Sequence, residues 1–535
     1  IDYVLTGRVR PGTDPNGPEA IRLAVRLDRV SDRTSVWGDV LVLPDVALFD
    51  AEQRIAEAVA AALPGLGPLP PPLQPVAADP LAYSLYVQAI GLLRRGFLFS
   101  DEVRRAYLKL ERAVEIDPDF ALAWAAMAIV LSQQERWYLD TIERTAWQAL
   151  ARAEALDHDH PDVLIARGTV QLVHGQAPGV DQPLDLVAPF LDALALRPGS
   201  VRARLGLAEA LAASNQHRAA VRVAESALVR SPRDPAALML TSRLNAATRN
   251  WARAEALAAR NATLQPDNYL PINAQANYRL LGTGDPRAAL AILERAPAEL
   301  MPDKVWAEFY DYAGEHAKII ERADVRIAEH GVEGFAVQWP VFALFAAHAF
   351  RVEGQPERAR PIAEAARTIY VRSLSPGTEE WIARSGLAAA DYLAGRPDSA
   401  LLQSCLAVDA WRARGGDSPV IYEEFARTAA LLGHLDLARS LVDQLVRVDY
   451  GRTPLNLHAL RLEPAWQPLR EAPGFEDWLA TFPPPSRTVD ATESAESIDF
   501  ESFRQPRAEA ADTFDASGVD ALCAEAGISA SAMNS

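Results

Sequence analysis

Prolines that recur near predicted helix ends constrain the fold of this chain more than any other sequence feature. The recurring residues are Pro118, Pro161, Pro198, Pro232 and Pro266. The last two intervals are both 34 residues, the length of two short helices with their turns. Each helix of such a pair must present small residues so that its partner can approach closely. The spacing therefore predicts an array of antiparallel helix pairs.

Two successive units, residues 201–234 and 235–268, carry the small residues that this packing needs. The predicted repeat-packing residues are Leu207, Ala208, Ala220, Ala224, Ala227, Pro232, Ala254, Ala258 and Pro266. Asn261 stands where alanine is expected, which predicts looser packing at that point. Later units keep a glycine shortly before a small residue, at Gly284, Gly354, Gly395 and Gly433, where glycine permits a left-handed helix ending. Residues 303–334 fit this pattern poorly.

The pattern resembles the tetratricopeptide repeat, in which small residues recur at unit positions 8, 20 and 27 and proline at position 32. The resemblance implies a mainly α fold: a right-handed α-solenoid of about nine helix pairs across residues 81–480. A generic alanine-rich array, of the HEAT or Sel1 type, is the alternative. Sel1-type units run longer and carry more glycine, which favours the tetratricopeptide interpretation.

Residues 1–63 follow a different period. Apolar and polar residues alternate in 3–9, 21–30 and 35–43, which predicts three strands with turns at 11–17 and 31–33. Residues 46–63 then take a helical period, with Phe49, Ile55, Val59 and Ala62 on one face. A β-β-β-α piece of this size has too little surface to bury alone. Because the chain begins at Ile1, inside a strand pattern, we expect it to be a fragment of a longer protein.

The segments Asp2–Arg10, Leu27–Val30, Val36–Asp39 and Leu48–Glu52 resemble the carboxy-terminal half of a TolB-like amino-terminal domain. In bacterial regulators, such domains precede tetratricopeptide arrays. The resemblance implies that a winged-helix DNA-binding domain, a class III adenylate cyclase domain or a protein kinase domain lies further upstream.

Composition sets the remaining domain boundaries. Seven prolines in residues 64–80 predict a stiff linker, since proline fixes φ and removes a donor. Residues 481–535 are acidic, and Phe500, Phe503 and Phe514 are too few to build a core, so we expect a disordered tail. The predicted domains are the partial TolB-like domain (1–63), the linker (64–80), the repeat array (81–480) and the tail (481–535).

The formal net charge of -18 makes nucleic acid and anionic membranes unfavourable partners for this chain. The most apolar stretch, 335–350, is too short and too mixed to span a bilayer. Two cysteines, Cys405 and Cys523, cannot supply a disulfide framework, so a reducing, cytoplasmic location is expected. The oligomeric state cannot be read from the sequence.

The sequence predicts no catalytic residue, no cofactor-binding residue and no metal ligand. It contains no metalloprotease, phosphate-loop, nucleophile-elbow or kinase motif. Asp157, His158, Asp159 and His160 are the most metal-like cluster, but they stand between two repeats, where polar turn residues are expected anyway. Alternate residues of a short turn seldom converge on one ion.

The remaining candidate is a protein-binding groove, because the first helix of each unit lines one side of a stacked array. Helical spacing places Arg202, Leu205 and Glu209 of one unit and Met239 and Arg243 of the next on this side. Arginine beside apolar residues suits a protein or peptide with acidic groups. The alternative is an ordinary solvated face.

We therefore expect a protein-interaction scaffold in a bacterial signalling protein. The first alternative is the regulatory part of an adenylate cyclase or protein kinase. The second is the effector region of a winged-helix transcription regulator.

Overall fold

A computed structural model describes residues 3–14, 17–32, 34–44, 48–63, 79–93, 101–134, 145–175, 185–374, 380–413, 419–451, 453–484, 498–504 and 514–525. The chain divides into two compact units, Ile1–Leu184 and Asp185–Ser535. The predicted linker, 64–80, lies outside the described residues except for Asp79 and Pro80, where a helix begins.

The first unit opens with three antiparallel strands in the order β1-β2-β3: β1 (Tyr3–Asp14), β2 (Gly17–Arg29) and β3 (Ser35–Pro44). Helix α1 (Leu48–Ala62) follows, and Ile55 packs beside Leu23 and Leu41. The strands are longer than predicted, because Pro11, Gly12 and Asp14, which were expected in a turn, pair with Ile21, Ala20 and Gly17. The β-β-β-α order agrees with the sequence prediction.

The rest of the first unit is helical: α2 (Pro80–Leu93), α3 (Asp101–Ile116), α4 (Ala121–Gln134), α5 (Ala146–Asp157) and α6 (Pro161–His174).

The second unit begins with α7 (Ala188–Leu196), α8 (Val201–Ala213), α9 (His217–Arg230), α10 (Pro235–Ala247), α11 (Trp251–Leu264), α12 (Tyr269–Thr283), α13 (Pro286–Leu293), α14 (Asp303–Tyr312), α15 (His316–Gln338) and α16 (Pro340–Val352). It continues with α17 (Pro356–Arg372), α18 (Glu380–Leu393), α19 (Pro397–Ala413), α20 (Val420–Leu431), α21 (Leu435–Leu445), α22 (Leu457–Leu462), α23 (Gln467–Glu471), α24 (Phe475–Leu479) and α25 (Ser517–Glu525). Short 3-10 helices span Ala298–Leu300, Pro464–Trp466 and Phe500–Arg504.

Successive helices pack as pairs through most of the described array: α2 with α3, α4 with α5, and then each pair from α8–α9 to α20–α21. A left-handed residue forms the turn inside every pair of the second unit, at Asn215, Arg249, Gly284, Gly314, Gly354, Gly395 and Gly433. This conformation reverses the chain between the two helices. The mainly α, tetratricopeptide-like fold is as predicted, whereas the number of pairs stays a prediction, since 176–184 lie outside the described residues.

The predicted packing stripe is buried. Leu207, Ala208, Ala220, Ala224, Ala227, Ala254 and Ala258 are each at most 2% exposed, while Pro232 and Pro266 lie in the turns that follow α9 and α11. The expectation of looser packing at Asn261 is wrong. Its side chain is buried and its Nδ2 donates a hydrogen bond to Pro235 O at 3.2 Å, which joins α11 to the start of α10.

Residues 303–334 form a helix pair, α14 and α15, although their sequence fits the repeat poorly. Gly314 supplies the left-handed turn, and α15 runs long, with a non-helical break at Gly331. Among the described residues, no single helix is both long and apolar enough to cross a bilayer. The α15 and α16 helices meet those criteria only when taken together, and they are bent by 116°.

Two segments of the predicted disordered tail are ordered. Phe503 is buried, the Arg204 guanidinium lies over the Phe500 ring at 5.0 Å, and Arg504 pairs with Asp192 at 2.7 Å. Phe514 stacks on Tyr422 with the ring centroids 4.5 Å apart. The aromatic residues that are too few for a core of their own dock instead on the core of the array, so the prediction of disorder is wrong for 498–504 and 514–525.

The two cysteines form a disulfide, which joins Cys405 of α19 to Cys523 of α25. They are 118 residues apart in sequence, so only the docking of α25 on α19 brings them together. This bond removes the argument for a reducing compartment, and the cytoplasmic location stays a prediction without that support.

Candidate partner-binding face

Helix caps fix the register of the predicted binding residues. The Ser200 hydroxyl accepts a hydrogen bond from Ala203 N at 3.2 Å and starts α8. The Asp234 carboxylate accepts from Ala236 N and Ala237 N at 2.9 and 3.0 Å and starts α10, with Pro235 in the first turn. Both are favoured cap arrangements. Because the two caps stand one repeat apart, equivalent residues of α8 and α10 lie beside one another.

Two of the five predicted groove residues are joined directly. Arg243 Nη2 of α10 donates to Glu209 Oε1 of α8 at 2.8 Å, across 34 residues of sequence. Their side chains are 34% and 47% exposed, so this ion pair is open to solvent on one side. We call the surface formed by Arg202, Leu205, Glu209, Met239 and Arg243 the α8/α10 face.

The other three predicted groove residues lie on the same two helices. Leu205 is partly buried against a small apolar cluster of Leu228, Ala237, Leu238 and Leu257, and Met239 is partly buried on α10. Arg202 is exposed in the first turn of α8. The α8/α10 face thus combines apolar side chains with charge of both signs, and its binding role stays a prediction.

Polar contacts of Glu225, whose side chain is 10% exposed, join three neighbouring helices. Glu225 of α9 accepts two hydrogen bonds from the Arg253 guanidinium of α11, at 3.0 and 2.8 Å, and a third from Asn245 Nδ2 of α10 at 3.3 Å. The hydrogen bonds with Glu225 raise the pKa of Arg253. A bidentate pair of this kind fixes geometry as well as charge, so these contacts hold α9, α10 and α11 in register.

Arg249 anchors a distant segment to the array. Its side chain is 1% exposed and donates to Leu445 O at 2.9 Å, Val448 O at 2.7 Å, Leu455 O at 3.1 Å and Asp449 Oδ1 at 3.0 Å. Its backbone is left-handed, with φ 59°, a conformation that costs about 1–2 kcal/mol for a residue with a Cβ. The buried charge-assisted bonds offset that cost and hold residues 445–466, which we call the returning segment, against the α10–α11 turn.

The returning segment continues along the first helices of later pairs. Asn456 Nδ2 donates to Leu281 O of α12 at 3.0 Å. Tyr312 of α14 donates to Glu463 Oε1 at 3.4 Å, and Arg427 Nε of α20 donates to Glu463 Oε2 at 3.0 Å. Along α12, α14 and α20, the first-helix side is therefore covered in part by the chain itself, which the sequence did not indicate.

A buried acidic cluster accompanies this contact. Arg427 also pairs with Glu423 at 2.5 Å, and Tyr450 donates to the same carboxylate. Burial raises the pKa of Glu423 and of Tyr450. Burial alone lowers the pKa of Arg427, but the charges of Glu463, Glu423 and Glu424 outweigh it and raise that pKa. These contacts join α20 to the returning segment.

The metal-like sequence cluster does not converge. His158 and Asp159 are exposed and contact each other at 3.1 Å, whereas His160 is buried and caps α6, where its Nδ1 accepts from Asp162 N at 3.1 Å. Among the described residues, one other group could ligate a metal ion: Asp311, His316 and His348. These three residues lie on separate helices, and their spacing in the sequence matches no known metal-binding motif. Only a correct alignment of the repeats could have predicted that they lie close together.

Comparison with known proteins agrees with the helical-repeat architecture. Residues 190–244 match the family model described as Tetratricopeptide repeat, and this match includes all five residues of the α8/α10 face. Curated proteins give no significant match.

Solved structures give low-scoring similarities. The human IFIT1 dimer with m7Gppp-AAAA is 14% identical, with 68% of this chain and 80% of that chain covered and a TM-score of 0.37. The APC/C hetero-tetramer Cut9-Hcn1 is 11% identical, with coverages of 81% and 82% and a TM-score of 0.31. The P58(IPK) TPR domain is 15% identical, with coverages of 66% and 98% and a TM-score of 0.18. At such TM-scores, these similarities carry no argument about function.

Residues 190–244 therefore match the tetratricopeptide repeat, and the paired helices with their recurring left-handed turns show a helical-repeat architecture in the described residues beyond that match.

Proposed function

We propose that this chain is a protein-interaction scaffold and that its partner binds on the α8/α10 face. The observation that carries the proposal is the Glu209–Arg243 pair, which occupies the same position on successive first helices within the matched repeats. Stacked repeats present such equivalent positions side by side as an extended binding surface.

The chemistry of the face points to a partner with acidic groups. An ion pair as exposed as Glu209–Arg243 contributes only about 0–1 kcal/mol, so a carboxylate of the partner can take over Arg243 at little cost. Arg202 adds positive charge on the same face. Leu205 and Met239 supply apolar contact between the charges. An acidic segment with apolar residues, extended or helical, fits this arrangement.

A charge swap tests the proposal. The double variant Glu209→Arg with Arg243→Glu keeps an ion pair between α8 and α10 but reverses its polarity. We expect unchanged helicity and thermal stability, because the exposed pair contributes little to folding. We also expect loss of the protein that the wild-type chain captures from a lysate of its source organism.

The matched control is the swap of Arg358 and Asp324, an ion pair that is exposed to a similar degree on α15 and α17. This control should capture the partner as the wild type does. Equal capture by the α8/α10 swap and the wild type would contradict the assignment of the face.

We further propose, on the resemblance of residues 1–63 to a TolB-like domain, that the scaffold belongs to a bacterial signalling protein and acts in the cytoplasm without chemistry of its own. The β-β-β-α order of residues 3–62 supports this. The alternatives are the regulatory part of an adenylate cyclase or kinase and the effector region of a winged-helix regulator. The DNA sequence upstream of the Ile1 codon tests them directly, since each requires its own catalytic motif or basic recognition helix.

A further inference from the structure

Three ligand-type side chains converge where α14, α15 and α16 meet. Asp311 lies in the last turn of α14, His316 is the first residue of α15, and His348 lies in the last turns of α16. His316 Nε2 is 3.3 Å from Asp311 Oδ1, and His348 Nε2 is 3.6 Å from the same oxygen. The potential ligand atoms all lie within 4.8 Å of one another.

The three atoms that face one another are buried and make no hydrogen bond. The Asp311, His316 and His348 side chains are 9%, 14% and 24% exposed, and Asp311 Oδ1, His316 Nε2 and His348 Nε2 have no hydrogen-bond partner. Burying a polar atom without a hydrogen-bond partner is unfavourable. Three such atoms aimed at one point indicate a ligand that binds all three.

One carboxylate oxygen faces two imidazole nitrogens, since Asp311 Oδ1 lies 3.3 Å from His316 Nε2 and 3.6 Å from His348 Nε2. A divalent cation at the centre satisfies one carboxylate and two neutral imidazoles together.

We propose that Asp311 Oδ1, His316 Nε2 and His348 Nε2 bind a divalent transition-metal ion, with Zn²⁺ the best fit. Two imidazoles and one carboxylate are a donor set that zinc accepts, and three protein ligands leave a fourth position for water. Calcium and magnesium prefer oxygen donors, so the two histidines select against them.

A second carboxylate lies behind one of the ligands. Glu353 Oε1 is 3.7 Å from His316 Nδ1, which is the ring nitrogen that faces away from Asp311. Carboxylates in this position orient a metal-binding imidazole and increase its basicity. Arg351, the cation whose charge acts on His348, is directed elsewhere: it donates to Tyr392 O at 3.3 Å and lies over the Tyr392 ring.

A metal ion bound at this position would stabilise the packing of neighbouring repeats. Its ligands come from both helices of one pair and from the first helix of the next, so one ion crosslinks two adjacent repeats. Binding to the folded chain alone stabilises it in proportion to the logarithm of the ion concentration. The inference is independent of the α8/α10 face, since no residue is shared.

The test is Zn²⁺ and Co²⁺ binding by the full chain after removal of any histidine tag, measured by calorimetry with ZnCl2 and by absorption spectroscopy with CoCl2. We expect one ion per chain, a rise in melting temperature with added Zn²⁺, and visible Co²⁺ bands of a low-coordinate nitrogen–oxygen site. His348→Ala and Asp311→Asn should each weaken binding by more than tenfold, and Glu353→Gln by about tenfold, as outer-shell partners of metals usually do.

The matched control is His158→Ala, which removes an exposed histidine from the most metal-like sequence cluster. It should bind Zn²⁺ as the wild type does. Circular dichroism of each variant separates loss of the site from loss of the fold. If Asp311→Asn does not fold, His348→Gln provides the same test. The proposal is overturned if the folded wild type binds no Zn²⁺ at micromolar concentration, or if binding persists unchanged in folded His348→Ala.

Discussion

Replacement of Arg249 by alanine should release the returning segment from the array. Arg249 is 1% exposed and donates to three backbone carbonyls and to the Asp449 carboxylate. Each hydrogen bond to a charged group contributes about 1.5–3 kcal/mol, but such values do not add. Breaking a buried charged network by removing one partner costs about 3–5 kcal/mol. We therefore expect a loss of about 4 kcal/mol.

This energy corresponds to roughly a thousandfold increase in local opening, since about 1.4 kcal/mol is a factor of ten. Hydrogen exchange is the suitable assay because repeat arrays need not unfold in one step. In the Arg249→Ala variant, amides of residues 445–466 should exchange much faster, while those of α8 and α9 should keep their protection.

Glycine at the same position separates the side chain from the backbone. Arg249→Gly loses the same hydrogen bonds but relieves the left-handed conformation, so it should be about 1 kcal/mol more stable than Arg249→Ala. Asn215→Gly is the matched control, because Asn215 occupies the equivalent turn one repeat earlier, with φ 57°, and is exposed. It should remain within about 1 kcal/mol of the wild type. Unchanged exchange of 445–466 in Arg249→Ala would refute this reasoning.

Three further predictions concern the core, the partly buried carboxyl group of Glu308 and the disulfide. Ala224→Glu should lower the free energy of unfolding by several kcal/mol, because Ala224 is fully buried in α9 and an unpaired charge would enter the core. An unchanged urea midpoint would contradict the packing described for α9. Burial raises the pKa of Glu308 from 4.5 to about 7, so the folded chain retains a proton there that the unfolded chain has lost, and stability should fall as pH rises from about 4.5 to 7. Glu308→Gln should remove this loss of stability and be more stable than the wild type by on the order of 1–3 kcal/mol at pH 8. The test is the urea midpoint of both proteins measured across this pH range. If the midpoints of variant and wild type change in parallel with pH, the prediction is wrong. Titration of unreduced, denatured protein with a thiol reagent should detect no free thiol, because Cys405 and Cys523 are paired, and two after reduction; two thiols before reduction would disprove the pairing.

The helical array could be read from the sequence because its signals are local. Proline and glycine mark helix ends through their own backbone restrictions, and alanine at fixed positions marks the packed side of each helix. Ala220 and Ala224 are fully buried for this reason. The failures also have local causes: residues 303–334 lack the proline mark, and Asn261 replaces small-residue packing with a side-chain hydrogen bond that composition does not reveal.

The positions of the residues on the α8/α10 face were also predictable from local sequence signals. Glu209 and Arg243 lie side by side because helical spacing and the 34-residue period together fix their positions. Their pairing was not predicted, since the period gives neighbouring positions but not the conformations of two long side chains. The covering of later first helices by the returning segment depends on contacts between residues about 200 apart in sequence, such as Arg249 with Asp449.

The sequence by itself thus determined the repeat: its helices, its turns and the small residues between paired helices, all of which depend on neighbours within about one repeat length. Only the tertiary structure decided where the chain meets itself at long range. It joined Cys405 to Cys523, seated Phe503 and Phe514 on the array, and brought Asp311, His316 and His348 to one point. No periodicity records these contacts, because they arise from the way successive repeats stack and from the few buried side chains that fix distant segments in place.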